Sequence, residues 1–162
     1  MTARYIPLAV FLLLVVLTSY VATGFEAGEW YHAIMTQPSN TPPDWLNILA
    51  PAVVYVLMAL AAWKIWLTGH YSRLGTLTWW VLLLVLSSGW SAVFYGMHRP
   101  GWALPVLGLM LGGGLLCTWA FSRLSRDAAL LMLPYLAWTV YLLFFDYAVW
   151  STNGGSLETV FR

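Results

Sequence analysis

Asp146 stands inside the apolar run LLFFDYAVW, where a carboxyl group is out of place unless something uses it. At about 100° per residue, Tyr135, Trp138, Leu142, Asp146, Val149 and Asn153 fall on one helical face. A face carrying an acid and two large aromatics points more naturally into a helix bundle than into lipid. By insertion scales, a charge at the bilayer centre costs at least about 2.5 kcal/mol. Asp146 would lie roughly 10 Å beyond the midpoint of its span at the helical rise, so its cost is smaller. Two uses are open to it. As an interfacial acid it would be hydrated near the membrane surface. As an interior acid it would hydrogen-bond a ligand, or move a proton as general acid or base with His32 or a tyrosine assisting. His32 and His98 fall near the same end as Asp146, but their spacing is no metal pattern, so no metal site is expected. Neither a phosphate-binding glycine loop nor a nucleophile elbow is present.

The elements that must hold these residues are membrane helices. Of 162 residues, 61% are hydrophobic and only 8% charged, against about 25% charged in soluble chains. The net charge of +1 argues against nucleic acid as a partner. Eleven Trp and nine Tyr are more than interfacial belts need, which leaves a surplus to line an interior. Cys117 is the single cysteine, so no intramolecular disulfide can form, and its apolar surroundings suit a small core residue. Five segments, at about 5–24, 45–68, 76–98, 102–123 and 128–151, reach the roughly 20 apolar residues that a bilayer requires. The expected fold is an all-α membrane protein. A five-transmembrane-helix bundle forms one domain over 1–153, with a long lid loop at about 25–44 between helices 1 and 2 and a polar tail at 154–162. Short connections after spans 2, 3 and 4 make successive helices antiparallel neighbours. With the N-terminus inside, Arg4, Lys64, Arg73, Arg123 and Arg126 fall inside and only Arg99 and Arg162 outside. The positive-inside rule then favours that orientation in a bacterial cell membrane, with the lid loop outside.

The loop itself reads GEWYHAIMTQPSNTPPDW, Gly28 to Trp45. A plain connector needs neither this length nor Trp30, Tyr31, His32 and Trp45. Its prolines keep the chain extended before span 2. The aromatics serve either as belt anchors or as rings that close a pocket from above. Small residues repeat every four positions at Ser88, Ala92 and Gly96, and again at Gly108 and Gly112. Such stripes bring helices close, within one bundle or between protomers. The glycine run 112–114 can also admit a bulky neighbour inside the bundle.

Several short pieces recur in a fixed order: EWY at 29–31, Pro38, PP at 42–43, YVLMALAAW at 55–63, W-S-x-x-F-Y-G at 90–96, PYLAW at 134–138 and YAVW-x-x-N at 147–153. In that order and spacing, from about Gly28 to Asn153, the chain resembles the TspO/MBR family of tryptophan-rich sensory proteins. The resemblance implies a five-helix bundle, usually a homodimer, with a ligand cavity at the end covered by the first loop. It implies tetrapyrroles, sterols or other flat apolar molecules as ligands, porphyrin or haem among them, and some members are reported to degrade porphyrins. The family's dimer habit points to Ser88, Ala92 and Gly96 as the protomer contact. The chain departs from the family pattern where the pocket would be. Asn40 and Pro51 stand in place of tryptophans and Asn47 in place of an aromatic. Ser87 and Asp146 each stand in place of an asparagine, and no Lys or Arg follows Tyr147 to complete a sterol-type motif. Fewer stacking faces leave room for a ligand unlike the family's usual ones.

The expected function is a TspO-like membrane receptor or transporter-like sensor for a hydrophobic small molecule of the tetrapyrrole, sterol or isoprenoid class. Trp30, Trp90, Tyr135, Trp138 and Leu142 would supply apolar walls, with Asn40, Asn47, Ser87 and Asp146 as the polar contacts. Two alternatives stand beside it. One is a membrane enzyme using Asp146 as general acid or base in the same cavity. The other is a structural subunit of a larger membrane complex.

Overall fold

A computed structural model describes residues 4–25 and 44–154, apart from the side chains of Asp44 and Asn47. Five long apolar helices cross the molecule: α1 (Ile6–Thr23), α2 (Asp44–Leu67), α3 (Arg73–Ser91), α4 (Pro100–Leu124) and α5 (Arg126–Thr152). Each is long and apolar enough to span a bilayer. Prolines open α1 and α4 in the first turn, where no intrahelical partner is lost. Ser125 breaks the chain between α4 and α5 in an extended conformation, and its Oγ accepts from the Ala128 N–H at 3.3 Å. Asp127 follows in the first turn of α5, where an acid suits the helix dipole. Ser125→Ala should cost about 1 kcal/mol through loss of this cap. Thermal unfolding in detergent checks it, and an unchanged midpoint would show that the cap contributes nothing.

The helices close into a ring in the order α1, α2, α5, α4, α3, with α3 returning to α1. The short connection between α2 and α3 makes them antiparallel as the sequence predicts, yet the two barely pack on each other. A tight turn fixes only the ends it joins; α2 spends its length against α1 and α5 instead. Met58, Ile65, Trp80, Leu107, Phe121 and Met132 fill the centre with no exposure, Trp80 meeting Phe11 edge-on at 5.4 Å. Residues such as Val16, Val85, Leu109 and Phe144 face outward and are more than half exposed, the surface that lipid covers. In a bilayer such helices are held by close packing and internal hydrogen bonds rather than by escape from water.

The closest approach is between α4 and α5. A Cβ built on Gly114 would lie 2.8 Å from Tyr135 Cε1 and 2.9 Å from Leu136 Cδ2, so the absent side chain is the room that Tyr135 occupies. Of the two uses open to the glycine run, the structure shows the seat for a bulky neighbour, at Gly114; Gly108 and Gly112 meet nothing within 4 Å. Gly96 is also occupied: its Cβ position is 2.6 Å from the Phe25 ring of the same chain.

Because α1, α3 and α5 run in one direction, their last turns share an end with the first turns of α2 and α4. Segment 26–43 joins α1 to α2 there, and this is called the loop end below. At the far end Lys64 donates to Asp127 at 2.9 Å, but side chains 40% and 71% exposed make the pair worth about 1 kcal/mol or less. Arg73 and Arg123 lie over the rings of Trp66 and Trp119 at that same end.

Candidate functional site

At the loop end α3 and α5 scarcely approach as backbones, and side chains bridge the space between them. Trp90 Nε1 donates to Asp146 Oδ2 at 2.9 Å. Asp146 has no exposed surface at all, which removes the hydrated interfacial reading of this acid. Its second oxygen, Oδ1, is buried with no hydrogen-bond partner. Unpartnered buried polar atoms are few in folded proteins and each calls for an explanation.

Aromatic rings surround the pair. Phe94 stacks on Trp90 at 5.6 Å, Tyr95 meets both edge-on, and Tyr141 stacks on Phe145 at 6.2 Å. Phe94, Ala103, Phe145 and Val149 form a buried cluster of their own, against which Trp90, Tyr95 and Tyr141 pack. The backbone shapes this wall. After Ser91 the α3 helix widens into a π-helical turn, Ala92–Gly96, closed by the Met97 N–H on the Ala92 carbonyl at 2.8 Å. One extra residue per turn shifts the phase of the helix, so Phe94 and Tyr95 stand where an ordinary helix would not put them; such turns recur at functional sites. His98 then adopts a left-handed φ of 54°, which reverses the chain into α4.

One layer deeper the hydroxyls of Tyr55 and Tyr135 face Ser87. Ser87 Oγ donates to the Leu83 carbonyl at 2.8 Å, and Tyr135 Oη closes no hydrogen bond.

The structure thus brings Ser87, Trp90, Tyr135, Leu142 and Asp146 into the bundle interior, all but the half-buried Trp90 fully so. Trp138 is half-buried and stacks on Tyr141 at 5.1 Å. Trp30, His32 and Asn40 lie outside the described residues, as does the side chain of Asn47. The cavity expected under the first loop would be roofed by residues 26–43, which lie outside them too. Tyr55, Tyr141 and Phe145 escaped the sequence reading. Tyr141 and Phe145 lie four apart beside Asp146, a spacing that carries a signal once the acid is known to be buried. No group of His, Cys, Asp and Glu among the described residues could hold a metal ion. A shallow recess of about 280 Å³ lies elsewhere, on the lipid-facing seam of α1 and α3, lined by residues such as Leu14, Leu17, Leu84 and Ser88.

Comparison with known proteins gives a consistent result. The model of the TspO/MBR family matches residues 7–151. The chain is 33% identical to the translocator protein of Homo sapiens over 166 residues, covering 96% of this chain and 95% of that one. It is 30% identical to the tryptophan-rich protein TspO of Chlorobaculum tepidum over 131 residues, covering 79% and 82%. It is 28% identical to protein CrtK of Rhodobacter capsulatus over 138 residues, covering 83% and 86%.

Proposed function

This chain belongs to the TspO/MBR family, and on that premise we propose that it binds a hydrophobic small molecule between the loop end of its bundle and segment 26–43. It is an integral, multi-pass membrane protein of translocator or sensor type. The ligand is of tetrapyrrole, sterol or isoprenoid class. The observation that carries this reading is the bare Oδ1 of Asp146, a buried hydrogen-bonding atom beside an aromatic wall with no partner among the described residues. Trp90 fixes the carboxyl in place through Oδ2 and leaves the other oxygen for a guest. Trp30, Asn40 and Asn47, singled out by the sequence, belong to this proposal on their residue types alone. The orientation that follows from the charge count is N-terminus inside and loop outside. The protomers pair through the stripe Ser88, Ala92 and Gly96, where the Phe25 ring of the same chain already lies against Gly96.

The test is mass spectrometry and an absorption spectrum on gently extracted protein, beside Asp146→Asn. A co-purifying apolar molecule, weakened or lost in the variant, is expected. The variant itself should be as stable as the parent or more so, since a half-satisfied buried acid is kept for use rather than for stability. Equal ligand content in both proteins would take Asp146 out of the site. Asp146→Asn that binds the molecule but no longer converts it would favour the second reading, an enzyme with Asp146 as general acid or base.

A further inference from the structure

The surroundings of Asp146 define the charge of the guest. Among the described residues no lysine, arginine or histidine pairs with it; the one ion pair among them, Lys64 with Asp127, is at the far end of the bundle. Arg4, Lys64, Arg73, Arg123 and Arg126 all lie at that far end, and Arg99, at the loop end, is exposed to the outside. Among the described residues the carboxyl therefore has an indole N–H for one oxygen and no counter-charge. What it has in abundance is aromatic surface: Trp90, Phe94, Tyr95, Tyr141 and Phe145 pack into one wall around it. The Tyr141 hydroxyl in that wall is a second buried atom with no partner.

A carboxylate with a free oxygen, set among ring faces, is the chemistry that receives an ammonium group. The ring faces attract the cation through their quadrupoles, as aromatic cages do for alkylammonium ligands. The free oxygen accepts its N–H in a charge-assisted hydrogen bond. A guest bringing the opposite charge also gives a buried carboxylate the counter-charge that the described residues do not supply.

We infer that the loop-end site takes an organic cation, a protonated amine carried on an apolar body. The inference rests on the small-molecule reading above, keeps its apolar body and adds a charged group that the ligand classes given there do not require. The family's asparagine at this position would offer an amide; the carboxyl of Asp146 selects for charge.

Three probes of one shape test it: adamantylamine, adamantanol and adamantyl methyl ketone, with protoporphyrin IX as a probe of the broader reading. Their binding to detergent-purified full-length protein is measured by equilibrium dialysis, with Asp146→Asn in parallel. The amine should bind at least about tenfold more tightly than the alcohol or the ketone, the usual scale of a charge-assisted contact, and lose that preference in the variant. An alcohol or ketone that matches the amine overturns the inference, as does an amine preference that persists in Asp146→Asn. If protoporphyrin IX binds in that case, the small-molecule reading survives without the cation. If no probe binds, both fail. The three-probe comparison on the unaltered protein stands even if the variant does not fold.

Discussion

Trp90→Ala is expected to lower the stability of the bundle by about 3–5 kcal/mol, the range of large aromatic truncations in packed cores. Two losses combine. The indole spans the space between α3 and α5, which have little backbone contact with which to close over a void. Among the described residues its Nε1 is also the one donor that reaches Asp146, so its removal strands the carboxyl group there. Trp90→Phe separates the two effects. It keeps a ring stacked near Phe94 and removes the N–H, and should cost about 1–3 kcal/mol, the penalty of a buried polar group left alone. Adding Asp146→Asn completes a double-mutant cycle, in which the coupling between the positions should be well above the error of measurement. Unfolding in mixed detergent, followed by near-ultraviolet circular dichroism, reads all four proteins. A Trp90→Ala protein as stable as its parent would mean that the indole bridge holds nothing together.

Gly114→Val should be the next most damaging change, by about 1–3 kcal/mol, because it overfills the most extensive helix–helix seam among the described residues. The added Cβ alone falls 2.8 Å from Tyr135 Cε1 and 2.9 Å from Leu136 Cδ2. Tyr135 is itself buried and cannot swing away, so α4 and α5 would have to part where they pack most extensively. Gly112→Val, two residues away on the same helix, meets open space and should change stability by about 0.5 kcal/mol or less. The comparison removes any general effect of valine in the helix. Equal unfolding midpoints for the two variants would show that Gly114 is not a seat for Tyr135.

Much of this molecule is written in apolar run length. The five spans need only that signal, and each helix ends within a few residues of where the runs end. The inward face of α5 is also legible, because Tyr135, Leu142, Asp146 and Val149 repeat at helical spacing and all four are buried. The π-helical turn at Ala92–Gly96 is not. A single inserted residue leaves no trace in a periodicity averaged over a span, and AVFYG reads as well in an ordinary helix. The bond from Trp90 to Asp146 joins helices that are neighbours neither in sequence nor in backbone packing, so spacing along the chain carries no hint of it. Ring order escaped for a related reason. Connection length tells which ends are close, whereas α2 packs along its length with α5 through the match of their surfaces. Loop residues such as Trp30 and Asn40 are singled out by type alone, and type does not fix a position in space.

The ring order has a consequence for how the protein comes into being. A chain is made from its N-terminus, and neighbouring elements usually find each other as they emerge. Here the helix that separates α2 from α4 is the last one made. Until Arg126–Thr152 enters the membrane, α2 has a single substantial partner, α1, and the groove destined for α5 is filled by lipid. Local pairing cannot complete such a ring, so the slow, long-range step is reserved for the end. That same helix delivers Asp146 to an indole waiting on α3. Closure of the bundle and assembly of the bridge from Trp90 to Asp146 are a single event, and an interrupted chain would have neither.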